Sequence, residues 1–159
     1  MVKKKSKKKI SSMIRFVLFG LGIATIVILF LPALGYADSN NTFTGMQVIF
    51  GYDMGSVLSL AGAKINFNFL GLIALLLPII ASIIALLNGN KKTMLLLCAI
   101  LFLGGAILFF LLPTYTQITT SILNNDSVSV PDWSLCYGSI ISGSLSAVGV
   151  LGSVYGYLL

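Results

Sequence analysis

Of 159 residues, 57% are hydrophobic and 9% are charged, and the mean hydropathy is +1.03, far from the roughly 25% charged composition of soluble domains. Ten basic residues against four acidic ones give a net charge of +6, and histidine is absent. This composition excludes an ordinary soluble domain, and the lack of any His or Glu removes the commonest general bases, so no enzyme activity is expected.

The chain opens on a basic tail over residues 1–15, with Lys3, Lys4, Lys5, Lys7, Lys8, Lys9 and Arg15 directly before an apolar run. Lysines beside a membrane span set its orientation and attract anionic lipid headgroups, each contributing about 1 kcal/mol near the surface. These seven residues are the candidate headgroup contacts, and no nucleic-acid partner is expected.

Apolar stretches at 16–35, 69–87, 93–112 and 135–159 reach the ~20 residues needed to cross a ~30 Å hydrocarbon layer, and none holds an acidic or basic side chain. Such runs satisfy their backbone in lipid as helices, and they lack the alternation of a barrel strand. The first imitates a secretory signal, with "GYA" before Asp38, but its apolar run exceeds the usual ~7 to 15 residues. An uncleaved span is expected.

The outer loops are expected at 36–68 and 113–134. With the N-terminus inside, nine of the ten basic residues fall on the inner side, including Lys91 and Lys92 in the short turn 88–92. Lys64 and the acids Asp38, Asp53, Asp126 and Asp132 fall outside, so both termini are expected to be cytoplasmic in a multi-pass plasma-membrane protein. The turn "NGNKK" makes the second and third spans an antiparallel hairpin.

"FTGMQVIFGY" (43–52), "KINFN" (64–68) and "SVSV" (127–130) carry β-branched, aromatic and alternating patterns. They predict a small extracellular sheet of two or three strands, with an amphipathic helix over 54–62 as the competing local reading. Phe43, Gln47, Phe50, Tyr52 and Asp53 are the candidate outer-loop contact residues. Tyr36, Tyr115, Trp133 and Tyr137 are expected at the outer interface, and Tyr155 and Tyr157 at the inner one.

In the last span, Ser139, Ser142, Ser146, Gly149, Gly152, Ser153 and Gly156 recur at helical spacing, a face of small side chains that lets backbones approach in lipid. Gly71, Ala74, Pro78, Ser82 and Ala85 form a similar stripe in the second span, and Gly104 and Gly105 notch the third. Packing within one bundle is the plain expectation; self-association or a membrane-protein partner is the alternative. Pro78 removes a backbone hydrogen bond in mid-span and predicts a bend. Cys98 and Cys136 lie at depths ~20 Å apart and are expected to be unpaired.

The overall expectation is an all-α four-transmembrane-helix bundle, 16–159, with a small sheet capping it outside and no cofactor or metal. "FTGMQVIFGY" followed by "INFNFLGLIALLLPIIASIIALL" resembles small four-span membrane proteins of low-GC Gram-positive bacteria over residues 42–87. That resemblance implies the fold and a bacterial source, and no particular activity. The architecture is also similar to claudin-like proteins, which implies a barrier or adhesion role by shape alone, because the first loop holds neither the tryptophan nor the cysteine pair of that group. The function expected is a non-enzymatic structural or accessory component of the envelope acting through protein contacts. The alternative is a homo-oligomeric, holin-like pore lined by the serine face.

Overall fold

The computed structural model describes residues 2–36, 41–57, 61–88, 91–122 and 125–159. Among them, four helices are long and apolar enough to cross a membrane. They are α1 (Val2–Ala24), continued by a 3-10 turn over Thr25–Leu29, then α3 (Phe69–Asn88), α4 (Lys92–Phe110) and α6 (Tyr137–Leu158). Two short helices, α2 (Gly45–Phe50) and α5 (Leu112–Tyr115), and seven strands make up the other described elements.

The first span is shorter at its C-terminal end than the apolar run suggests. At the end of α1, Thr25 Oγ1 donates to Gly22 O at 2.6 Å. Pro32 then lacks an amide donor and disfavours the helical conformation at Leu31, so the chain leaves the helix and enters strand β1 (Pro32–Tyr36). The basic segment is part of α1 from Val2 onward, and strand replaces the expected helix at 32–35.

The chain divides into two units, one of Met1–Ile26, Ala74–Ile107 and Ser142–Leu159 and the other of Val27–Ile73 and Leu108–Ile141. The helical unit is centred on Leu18, Ala81, Ala85, Leu95, Cys98 and Phe102, all buried, from α1, α3 and α4. Pro78 lies inside α3, with two glycines closing on it. A β-carbon built on Gly105 would lie 2.6 Å from Pro78 Cγ, and one on Gly22 would lie 2.6 Å from the Pro78 carbonyl oxygen. Glycine at both places is what lets three backbones meet where lipid offers no hydrophobic drive for association.

The second unit carries two antiparallel sheets in place of the single small sheet expected. One has the order β2-β1-β7, with β2 at Thr42–Thr44 and β7 at Trp133–Leu135. The other has the order β3-β4-β5-β6, from Tyr52–Val57, Ala61–Ile65, Ile118–Ile122 and Asn125–Ser129. The protein is thus not all-α. The expected strand at 43–52 is broken by α2, because Thr44 and Gln47 form a reciprocal cap: Gln47 N donates to Thr44 Oγ1 and Thr44 N donates to Gln47 Oε1 at 2.9 Å. The alternative helix over 54–62 is absent among the described residues, where β3 and β4 pair instead; residues 58–60 lie outside the described residues. Gly51 and Gly55 both have φ of 88°, a conformation that glycine adopts without strain, and Gly55 stands where the β3–β4 register shifts.

Candidate functional site

The small-residue face of α6 is an interior face. Ser139, Ser142, Ser146, Gly149 and Ser153 are buried, and Gly152 and Gly156 are half-buried. Ser142 Oγ donates to Thr25 O at 3.3 Å, Ser146 Oγ to Ser142 O at 2.9 Å, and, in the second unit, Ser139 Oγ to Ala33 O at 2.7 Å. A β-carbon on Gly149 would lie 2.6 Å from Phe102 Cδ1, and one on Gly152 would lie 3.0 Å from Leu18 Cδ2. These three hydroxyls thus return to backbone carbonyls, while the glycines receive bulky side chains of α1 and α4. Ser153 Oγ is buried without a partner. Gly71, Ala74, Pro78, Ser82 and Ala85 of α3 are all buried as well.

The five outer-loop candidates divide. Phe43 is buried, packed edge-on against Tyr36 and Trp133 at ring-centre distances of 5.9 and 5.7 Å. Gln47 is committed to the cap of α2. Phe50, 48% exposed, and Tyr52, 42% exposed, remain at the surface, and the exposed Asp53 accepts from Gly55 N at 2.9 Å where the β3 register shifts. Phe43, Gln47 and Tyr52 are brought together as walls of an open recess of about 460 Å³, completed by Asn41, Thr42 and Met54; Phe50 and Asp53 lie outside it.

Trp133 is a packing residue here. It is only 9% exposed, stacks on Tyr36 at 4.7 Å between ring centres, and its indole Nε1 donates to Thr116 O at 2.9 Å. An anchor in the headgroup layer would present its ring outward, so the expected interfacial role gives way to a core role.

Asn68 is a residue that pattern reading missed. Its Oδ1 accepts from Gly71 N at 2.9 Å, capping α3, and its Nδ2 donates to Thr116 Oγ1 at 2.9 Å. An Asn directly before an apolar run is the signal that was available.

Chemistry at these places is limited. No group of three or more His, Cys, Asp or Glu that could hold a metal occurs among the described residues. Both cysteines are free, and burial pushes the Cys136 thiol up, away from the thiolate a nucleophile requires. Burial likewise raises Tyr115, whose hydroxyl donates to Leu108 O at 2.7 Å, and Tyr36.

The candidate headgroup residues, with Lys91 and Lys92, fall in two groups. The side chains of Lys3, Lys4, Lys5, Lys7, Lys8 and Lys9 lie outside the described residues. Arg15 is half-buried and its Nε has no partner; Lys91 and Lys92 are exposed, and Lys92 Nζ stands 5.8 Å above the ring of Tyr157. No protein-family model, curated protein or solved structure matches this chain, so its assignment rests on these residues.

Proposed function

We propose that the protein is a non-enzymatic, multi-pass component of a bacterial plasma membrane, with both termini cytoplasmic and its strands on the extracellular side, acting through contacts with another protein. The positive-inside asymmetry supports the orientation. The single observation that supports the contact role is the recess walled by Phe43, Gln47 and Tyr52 with the exposed ring of Phe50 nearby in sequence, an aromatic and amide lining suited to a polypeptide partner. Burial of the α6 serines favours this reading over a pore lined by them, since a lumen needs those hydroxyls free.

Phe50 and Tyr52 are each about half exposed, and Tyr52 touches the Phe43 ring, so F50A/Y52A should cost about 1–2 kcal/mol and leave the fold intact. Loss of two aromatic anchors should nonetheless reduce capture by a crosslinker placed at Met54 by about tenfold or more. Crosslinking in native membranes followed by mass spectrometry is the measurement. A single partner lost in the double variant is the expected result. Undiminished adducts, or adducts only between copies together with conductance in reconstituted bilayers, would overturn the contact reading.

A further inference from the structure

We propose that the end of the helical unit carrying Arg15, Lys92 and Tyr157 is a binding site for the phosphate of one anionic lipid headgroup, a defined site rather than diffuse attraction to the lysine tail. It rests on the reading above that α1 crosses a membrane.

Three helices converge there. A β-carbon on Gly156 of α6 would lie 3.3 Å from Ile14 Cγ2 of α1 and 3.3 Å from Leu95 Cδ1 of α4. Arg15 follows Ile14 directly, Lys92 lies one turn before Leu95 at the start of α4, and Tyr157 follows Gly156. Lys92 Nζ meets the Tyr157 ring at this end, and Arg15 stands one residue past Ile14, whose side chain packs against the same stretch of α6.

The hydrogen-bonding state of Arg15 points to a missing acceptor. Arg15 Nε is a buried donor with no partner, and a buried guanidinium N–H left unpaired is costly. No acidic side chain follows Arg15 in α1 or occurs anywhere in α4 or α6, and the acids of this chain lie at 38, 53, 126 and 132. A phosphate supplies the oxygens that a guanidinium fork matches, and it would lie near the N-terminal, positive end of α4. Lys92, held over the Tyr157 ring, adds a second charge.

The surroundings select a lipid over free phosphate. Met13 and Phe16, on either side of Arg15, are 69% and 65% exposed, and Leu158 beside Tyr157 is exposed as well. An amphiphile covers such apolar surface with its acyl chains while its phosphate meets the cations; a free anion leaves it bare.

The test uses the full chain in nanodiscs of one part phosphatidylglycerol to four parts phosphatidylcholine, with retained lipid counted by native mass spectrometry. The wild type is expected to retain one phosphatidylglycerol, and R15Q/K92Q to weaken retention about tenfold or more, the loss of charge-assisted hydrogen bonds. A variant with Lys3, Lys4, Lys5, Lys7, Lys8 and Lys9 changed to Gln should keep the retained lipid while losing salt-sensitive adsorption to vesicles. R15K, which keeps the charge but not the fork, should retain less than the wild type. Equal retention in R15Q/K92Q, dependence on the lysine tail alone, or full competition by millimolar inorganic phosphate would overturn the site. Resistance of each variant to carbonate extraction separates these outcomes from failure of the membrane reading itself, which would show as release of the wild type.

Discussion

Gly105→Leu is expected to destabilise the helical unit by about 3 kcal/mol, the upper part of the range for overpacking. The added side chain would begin with a β-carbon 2.6 Å from Pro78 Cγ and 2.8 Å from Pro78 Cδ. A proline ring has no alternative rotamer into which to retreat, so the helices must separate, and separation forfeits the dispersion contacts that hold helices together in lipid. Gly22 closes on the same residue through Pro78 O and Ser82, which leaves Pro78 little room to shift toward α1. Replacing Pro78 by Ala in the same chain should recover a large part of the loss. Gly20 provides the control, because a β-carbon there meets nothing within 4 Å and Gly20→Ala should be neutral or stabilising, by up to about 1 kcal/mol. Thermal unfolding in detergent micelles measures all four chains. Wild-type stability for Gly105→Leu, or equal loss at Gly20, would mean that the helices do not meet at Pro78.

Trp133→Ala should have the largest effect in the second unit, about 3–5 kcal/mol, the usual cost of truncating a buried aromatic side chain. The indole is stacked on Tyr36, edge-on to Phe43, and tied to Thr116 O, so its removal opens a cavity and strands a buried carbonyl together. Trp133→Phe keeps most of the packing and loses the hydrogen bond, and a smaller cost of about 1 kcal/mol is expected. Hydrogen exchange across Pro32–Tyr36 and Trp133–Leu135, which pair as neighbouring strands, reads the effect directly. Protection unchanged in Trp133→Ala would refute the core role and return the ring to the interface.

The long apolar runs are legible because lipid allows them little besides a helix: hydropathy puts the second span at 69–87 and α3 runs Phe69–Asn88. Small residues at helical spacing mark a face by a related physical reason, close approach of backbones, and Ser142, Ser146 and Gly149 are buried. What the pattern hid was local chemistry. Val48, Ile49 and Phe50 favour strands by type, yet the cap between Thr44 and Gln47 turns them into α2; the motif Thr-x-x-Gln was present in the sequence and outweighed propensity. Leu34 and Gly35 look like the end of a membrane span by hydropathy, but Pro32 ends the helix and Leu34 pairs with Phe43 and Leu135 instead. The contact candidates straddle α2, which divides them: Phe43 and Gln47 have structural tasks, and Phe50 and Tyr52 lie at the surface.

The arrangement of four spans with both ends inside is tested most directly by labelling single cysteines in intact cells with a membrane-impermeant maleimide, in a background where Cys98 and Cys136 are changed to Ser. Val128→Cys, on the exposed strand β6, should label before lysis, whereas Lys91→Cys and a cysteine appended after Leu159 should label only once the cells are opened. Labelling of position 91 or of the appended cysteine from outside, or protection of position 128, would contradict the account.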